Sequence, residues 1–67
     1  MNAVQTFEPP LRLESAASML TVSVKTVRRL IKRGQLPSFF IGGRRHVLAS
    51  EIQAYIQRQI ARGGGHA

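Results

Sequence analysis

The 67-residue sequence lacks several features that would define its class. It contains no cysteine, which excludes a disulfide scaffold and a thiolate metal site. No apolar run approaches the roughly 18 residues that a transmembrane helix requires. Residues 1–10 have neither the basic start nor the apolar block of a signal peptide. The short length excludes a two-domain enzyme with its own cofactor fold. We therefore expect one small intracellular domain without a cofactor or a membrane partner.

Acidic residues are also scarce. Glu8, Glu14 and Glu51 are the three acids against ten Lys and Arg, so the formal net charge is +7. Residues 15–50 contain no acid but seven of the ten cations. A solvated face normally mixes both signs, because unmixed cations repel one another on a small surface. Since 43% of the residues are hydrophobic, a disordered polycation is also disfavoured. The pattern favours a folded domain that binds nucleic acid over one that is charged only for solubility.

Apolar spacing predicts two short helices in the first half of the chain. The i, i+3, i+4, i+7 pattern from Leu13 predicts a helix of about two turns over residues 13–20. A second helix is predicted over residues 24–33, with Ser23 as its N-cap. Gly34 is expected to end this helix in a left-handed conformation.

A hairpin and a third helix are predicted to follow. The β-prone runs 38–41 and 44–48 flank Gly42 and Gly43, which suit the positive φ angles of a tight turn. Ser50 is predicted to be the N-cap of the third helix. The apolar face of that helix is predicted to comprise Ile52, Tyr55, Ile56 and Ile60.

These elements predict a mainly α fold with a small β-hairpin, the winged helix-turn-helix. We expect a flexible N-terminal arm at residues 1–10, a DNA-binding domain at residues 11–62 and a disordered tail at residues 63–67.

The second helix is the predicted recognition helix, because a short helix after a tight turn can enter the major groove. We expect Val27, Leu30 and Ile31 to face the core. The opposite side, which would face DNA, then carries Val24, Lys25, Arg28 and Lys32. Arg28 is the best candidate for reading a base edge, since its guanidinium can bond guanine O6 and N7 together. Lys25 and Lys32 suit phosphate, whereas Thr26 could bond a phosphate or its own backbone. The candidate DNA-binding residues of this helix are Ser23, Val24, Lys25, Thr26, Arg28, Arg29 and Lys32.

The hairpin tip is the predicted wing, since the negative potential of a minor groove attracts arginine. Its candidate DNA-binding residues are Gly43, Arg44, Arg45 and His46. Phe39 and Phe40 should point to opposite faces of their strand. One of them is expected to join a core formed by Ile41 and the helices, while the other is exposed or lies under the arm. No metal or catalytic role is expected for His46, whose one histidine companion is His66.

Four segments resemble the excisionase family of small winged-helix DNA-binding proteins, which is related to MerR-type domains. They are LESAASML at residues 13–20, VSVKTVR at 22–28, GQLP at 34–37 and IGGR at 41–44. The resemblance covers about residues 11–58. The sequence departs from the family pattern at four positions. Arg12 stands where a Ser or Thr cap is usual, Ser15 where Glu is common, Thr21 where Gly is frequent and Arg45 where an aromatic residue is frequent.

The resemblance implies a recombination directionality factor. Such proteins bind near the attachment site of a phage or mobile element, bend the DNA and help an integrase to excise the element. The expected partners are double-stranded DNA, an integrase and further copies of the chain, in the cytoplasm of a bacterial host. A small transcriptional repressor with the same winged helix is the alternative. A cationic amphipathic protein acting on membranes or RNA is a rival from another class. An enzyme is not expected, because no paired carboxylates or activated nucleophile are evident.

Overall fold

The computed structural model describes residues 7–63, so most of the predicted arm and tail lies outside the described residues. The element order is β1 (Leu11–Arg12), α1 (Leu13–Leu20), α2 (Val24–Lys32), β2 (Phe39–Ile41), β3 (Arg44–Val47) and α3 (Ala49–Gly63). The strands form an antiparallel sheet in the order β1-β3-β2. This architecture is the winged helix-turn-helix, as predicted. None of the helices in residues 7–63 combines the length and the hydropathy that spanning a bilayer requires.

Both helices of the helix-turn-helix end in the same way. After α1, the N–H of Thr21 donates to Ser18 and that of Val22 donates to Ala17. After α2, Gly34 and Gln35 make the equivalent bonds to the carbonyls three and five residues back. This double bond pattern is the Schellman motif, which requires a left-handed residue after the helix. Gly34 has φ +76° as predicted, but Thr21 adopts φ +58° despite its branched side chain.

The core lies where α1, α2, α3 and β3 meet. Ala16 is fully buried and Ala17 nearly so, which allows α1 to approach its neighbours closely. The buried residues are Leu13, Ala16, Ala17, Val27, Leu30, Leu36, Val47 and Ile52. Val27 and Leu30 belong to α2, and Ile31 packs against the cluster. The predicted inward face of the second helix is therefore confirmed.

The third helix differs from its prediction at its start and in its apolar face. It begins at Ala49, and the carbonyl of Leu48 accepts from the N–H groups of Glu51 and Ile52. Ser50 therefore lies inside the first turn and is not the N-cap. Its own N–H donates to Glu8 Oε1 over 2.9 Å. The predicted apolar face was wrong at Ile60, which is 60% exposed because α3 extends past the core.

The hairpin contributes less to the core than predicted. Ile41 is 48% exposed, and Phe40 is 61% exposed. Phe39 is half-buried but is not part of the core cluster. The expectation that Ile41 and one of these phenylalanines join the core was wrong. Since β2 is an edge strand, the central strand β3 reaches the core, through Val47.

Candidate nucleic-acid interface

The start of α2 is fixed by a local hydrogen-bond pair. Ser23 is the N-cap, and its Oγ accepts from the backbone N–H of Thr26 over 3.1 Å. Ser23 Oγ and Thr26 Oγ1 are also 3.1 Å apart. The hydroxyl of Thr26 thus contacts the side chain of the N-cap residue and not its own backbone, which was the local alternative in the sequence analysis. Its contact with phosphate stays a prediction.

The outward face of α2 is cationic. Lys25, Arg28, Arg29 and Lys32 are all exposed, as expected for residues that must reach a groove. Val24 is different, because it is half-buried and packs against the core. The expectation that Val24 lies opposite the core was wrong, because the packing of α2 against the core extends to this first residue of the helix. Its contact with DNA stays a prediction, as do those of the four cations.

The hairpin turns over two residues. Gly42 has φ +58° and Gly43 has φ +82°, while Ile41 and Arg44 pair on either side of them. Two consecutive positive φ angles characterise the type I′ turn, whose twist matches that of the paired strands. The turn presents Arg44 in an exposed position directly after Gly43. This placement matches the predicted wing tip.

Arg45 is held by the hairpin itself. Its Nη1 donates to Ser38 Oγ over 2.6 Å, and its guanidinium carbon lies 4.4 Å from the centroid of the Phe40 ring. Phe40 is also its partner across the β2–β3 ladder. The side chain is half-buried. Arg45 therefore occupies a fixed orientation, whereas Arg44 has no hydrogen bond or ion pair from its guanidinium to any described residue.

His46 is tied to the sheet. Its Nδ1 lies 2.8 Å from the carbonyl oxygen of Arg44, and its ring stacks against Phe39 with centroids 6.2 Å apart. His66 lies outside the described residues. Within residues 7–63 no group of three His, Cys, Asp or Glu side chains is placed to hold a metal. These contacts give His46 a structural role in the wing, and its DNA contact stays a prediction.

The recognition helix and the wing line one open cleft of about 340 Å³. Arg28 enters it from α2, and Arg44 and Arg45 enter it from β3. The exposed ring of Phe40 forms part of its wall. Two further charged residues line the same cleft, Arg12 of β1 and Glu14 of α1. The cleft thus brings together four arginines from three elements of the fold.

Arg12 and Glu14 were not among the predicted site residues. They lie outside the acid-free segment 15–50, and Arg12 was noted as a departure from a helix cap. It does occupy the N-cap position of α1, but its side chain makes no cap hydrogen bond. Its place in the cleft results from pairing of β1 with β3, where Arg12 is opposite His46. A two-residue strand leaves no periodicity from which this pairing could be predicted.

Comparison with known proteins identifies the domain type. A family model described as "Helix-turn-helix domain" matches residues 11–60, which begin at β1 and extend into α3. No curated protein and no solved structure matches the chain. The matched range includes every residue that lines the four-arginine cleft.

Proposed function

We propose that this chain, which belongs to the helix-turn-helix domain family of DNA-binding proteins, is a DNA-bending excisionase. It would bind a specific sequence near the attachment site of a phage or mobile element and assist an integrase in excising that element. The family includes excisionase-like DNA-binding proteins. The four segments that resemble excisionases all lie within the matched range.

The four-arginine cleft is the observation that supports the proposal most directly. It joins the outward face of α2 to the hairpin. When α2 lies in the major groove, the hairpin can then reach the adjacent backbone or minor groove. We assign Arg28 to a base edge and Lys25 and Lys32 to phosphates on either side. Arg44 contacts the backbone from the tip of the wing.

Bending follows from engaging two adjacent grooves with one rigid domain. The short turn between α1 and α2 and the two-residue hairpin leave little freedom for either contact to adjust. We propose that the DNA deforms so that both contacts can form, and that the additional contacts repay the deformation energy. A single module of this kind buries only about 600–1,000 Å² of protein surface. We therefore propose that several copies bind neighbouring sites together, with the integrase as a further partner.

An excision assay tests this function. The substrate is a plasmid carrying the two attachment sites of a candidate element, incubated with that element's integrase, with and without the protein. We expect excision to depend on the protein. Unchanged excision in its absence would refute the excisionase proposal. If the protein instead lowered the activity of a promoter near its binding site in a reporter assay, the result would support the alternative, a small repressor with the same winged helix.

A binding titration tests the preference for DNA separately. If about five phosphates are neutralised, log K against log salt should have a slope near −4.5 on duplex DNA. RNA and anionic vesicles are titrated at the same salt concentrations. A flat slope, or equal affinity for RNA or vesicles, would contradict the proposal and favour the cationic amphipathic alternative.

A further inference from the structure

Arg12 has a position in the cleft that no structural role explains. Its side chain is 50% exposed, and it does not cap the helix that follows it. The backbone of Arg12 is fixed because β1 pairs with the central strand of the sheet. The side chain therefore projects from a rigid position into the space that Arg28, Arg44 and Arg45 also line.

Within the chain, Arg12 makes a weak ion pair with Glu14. Its Nε lies 4.0 Å from Glu14 Oε1, the limit of an ion pair, and Glu14 is 68% exposed. Exposed pairs of this kind contribute little to stability and are readily exchanged. A phosphate offers the guanidinium two oxygens at once, in the planar geometry that suits arginine best. Arg12 can thus exchange Glu14 for DNA without disturbing the fold.

We propose that Arg12 is a third DNA-backbone contact, besides the recognition helix and the wing, and that Glu14 competes with phosphate for it. Glu14 is the acidic residue of a cleft with four arginines. Its carboxylate attracts Arg12 in the free protein and repels a phosphate that enters the cleft. It therefore lowers affinity for every duplex, which limits binding at random sites. The inference rests on DNA binding by this chain and is independent of the excision reaction.

The test of Arg12 compares two arginines of equal charge. Arg12→Gln removes one of the four cations of the four-arginine cleft, while Arg62→Gln removes one cation from a different cleft, between α3 and the segment after α2. Affinity for a duplex is measured at 50 and 200 mM salt. One lost phosphate contact should reduce the magnitude of the salt slope by about 0.9. The ratio of the wild-type affinity to the Arg12→Gln affinity should therefore fall about 3.5-fold when the salt is raised from 50 to 200 mM.

Arg62→Gln should leave the slope unchanged. Equal salt slopes for Arg12→Gln and the wild type would overturn the proposed Arg12 contact. An equal loss of duplex affinity in Arg12→Gln and Arg62→Gln would overturn it as well. Thermal unfolding of each variant shows whether the fold is retained. If Arg12→Gln unfolds, Arg12→Met is titrated at the same two salt concentrations, because methionine keeps the aliphatic stem and removes the charge. Its salt slope should be smaller in magnitude than that of the wild type by about 0.9, and an unchanged slope would overturn the contact. The wild-type titration tests DNA binding by the chain itself. A failure of DNA binding can therefore be distinguished from a failure of the Arg12 contact.

The test of Glu14 uses a matched pair of acids. Glu14→Gln should raise affinity for random duplex about threefold at low salt, as expected for removing one like charge about 6 Å from a phosphate in water. Glu51→Gln makes the same charge change in the other cleft and should have a smaller effect. In the Arg12→Gln background the gain from Glu14→Gln should decrease, because part of it comes from releasing Arg12. Equal gains for the two acids, or an undiminished gain in that background, would contradict the competition.

Discussion

Arg45 and Arg44 are neighbours in β3, yet replacing them should affect different properties. Replacing Arg45 should lower the stability of the domain, whereas replacing Arg44 should weaken DNA binding. The guanidinium of Arg45 bonds Ser38 over 2.6 Å and lies 4.4 Å from the Phe40 ring. Both contacts link β3 to β2 or to the residue before it. Arg45→Ala removes them together, and the hairpin then depends on its short backbone ladder. The variant should therefore be less stable and should have a looser wing.

The size of this effect follows from the two contacts. A hydrogen bond from a charged donor contributes about 1.5–3 kcal/mol when buried, and a cation–π contact at an exposed site about 0.5–1 kcal/mol. The lower ends of these ranges together give about 2 kcal/mol, and solvent screening reduces this value because Arg45 is half-buried and Phe40 is 61% exposed. We expect Arg45→Ala to lower the free energy of unfolding by about 1–2 kcal/mol, a fall in Tm of roughly 5–15 °C for a domain of this size.

Thermal and urea unfolding followed by circular dichroism measure this difference. Arg44→Ala is the control, since it removes the same charge one residue away from an exposed position. It should change stability by less than about 0.5 kcal/mol while weakening binding to most DNA sequences alike. Equal stability losses in the two variants would refute the argument, because the loss would then reflect the charge or the strand and not the contacts of Arg45.

Three further predictions concern other parts of the domain. Arg28→Ala should cost roughly 1–3 kcal/mol of specific binding and relax the sequence preference; in a titration of specific against random duplex, equal losses would reassign Arg28 to phosphate. Thr21→Gly should raise the free energy of unfolding by about 1 kcal/mol, because Thr21 has φ +58° and a branched side chain is strained there; lower stability in urea unfolding would contradict this strain. Glu8→Ala should destabilise the domain by about 0.5–1.5 kcal/mol, since the N–H of Ser50 loses its acceptor; an unchanged urea midpoint would show that the bond contributes nothing.

The helix-turn-helix was predictable from the sequence because its signals are local. Ser23 caps α2 through an atom three residues away, and Gly34 ends the same helix through bonds to the preceding turn. The Gly42-Gly43 turn likewise depends on its own φ angles. Such features need no information from distant parts of the chain, so pattern and residue type suffice.

The errors arose where distant segments meet. Ser50 has the residue type of an N-cap, but α3 begins one residue earlier, and Glu8, 42 residues away, supplies the acceptor for the N–H of Ser50. Ile60 continues the apolar spacing of α3 past the point where other elements cover it. Arg12 reaches the cleft through the pairing of a two-residue strand. Periodicity within one segment carries no information about which partner covers it.

The composition of the cleft also limits what one copy of the domain can recognise. From α2, only Arg28 lines the cleft, whereas the other three arginines, Arg12, Arg44 and Arg45, belong to the sheet. One bidentate contact to a base pair discriminates by about 1–3 kcal/mol, whereas specific DNA-binding proteins typically exceed their own non-specific binding by about 4–10 kcal/mol. Three adjacent copies, each with about 2 kcal/mol of discrimination, would reach about 6 kcal/mol. We therefore expect a footprint that spans several repeated sites, and a footprint of a single site with full specificity would contradict this reasoning.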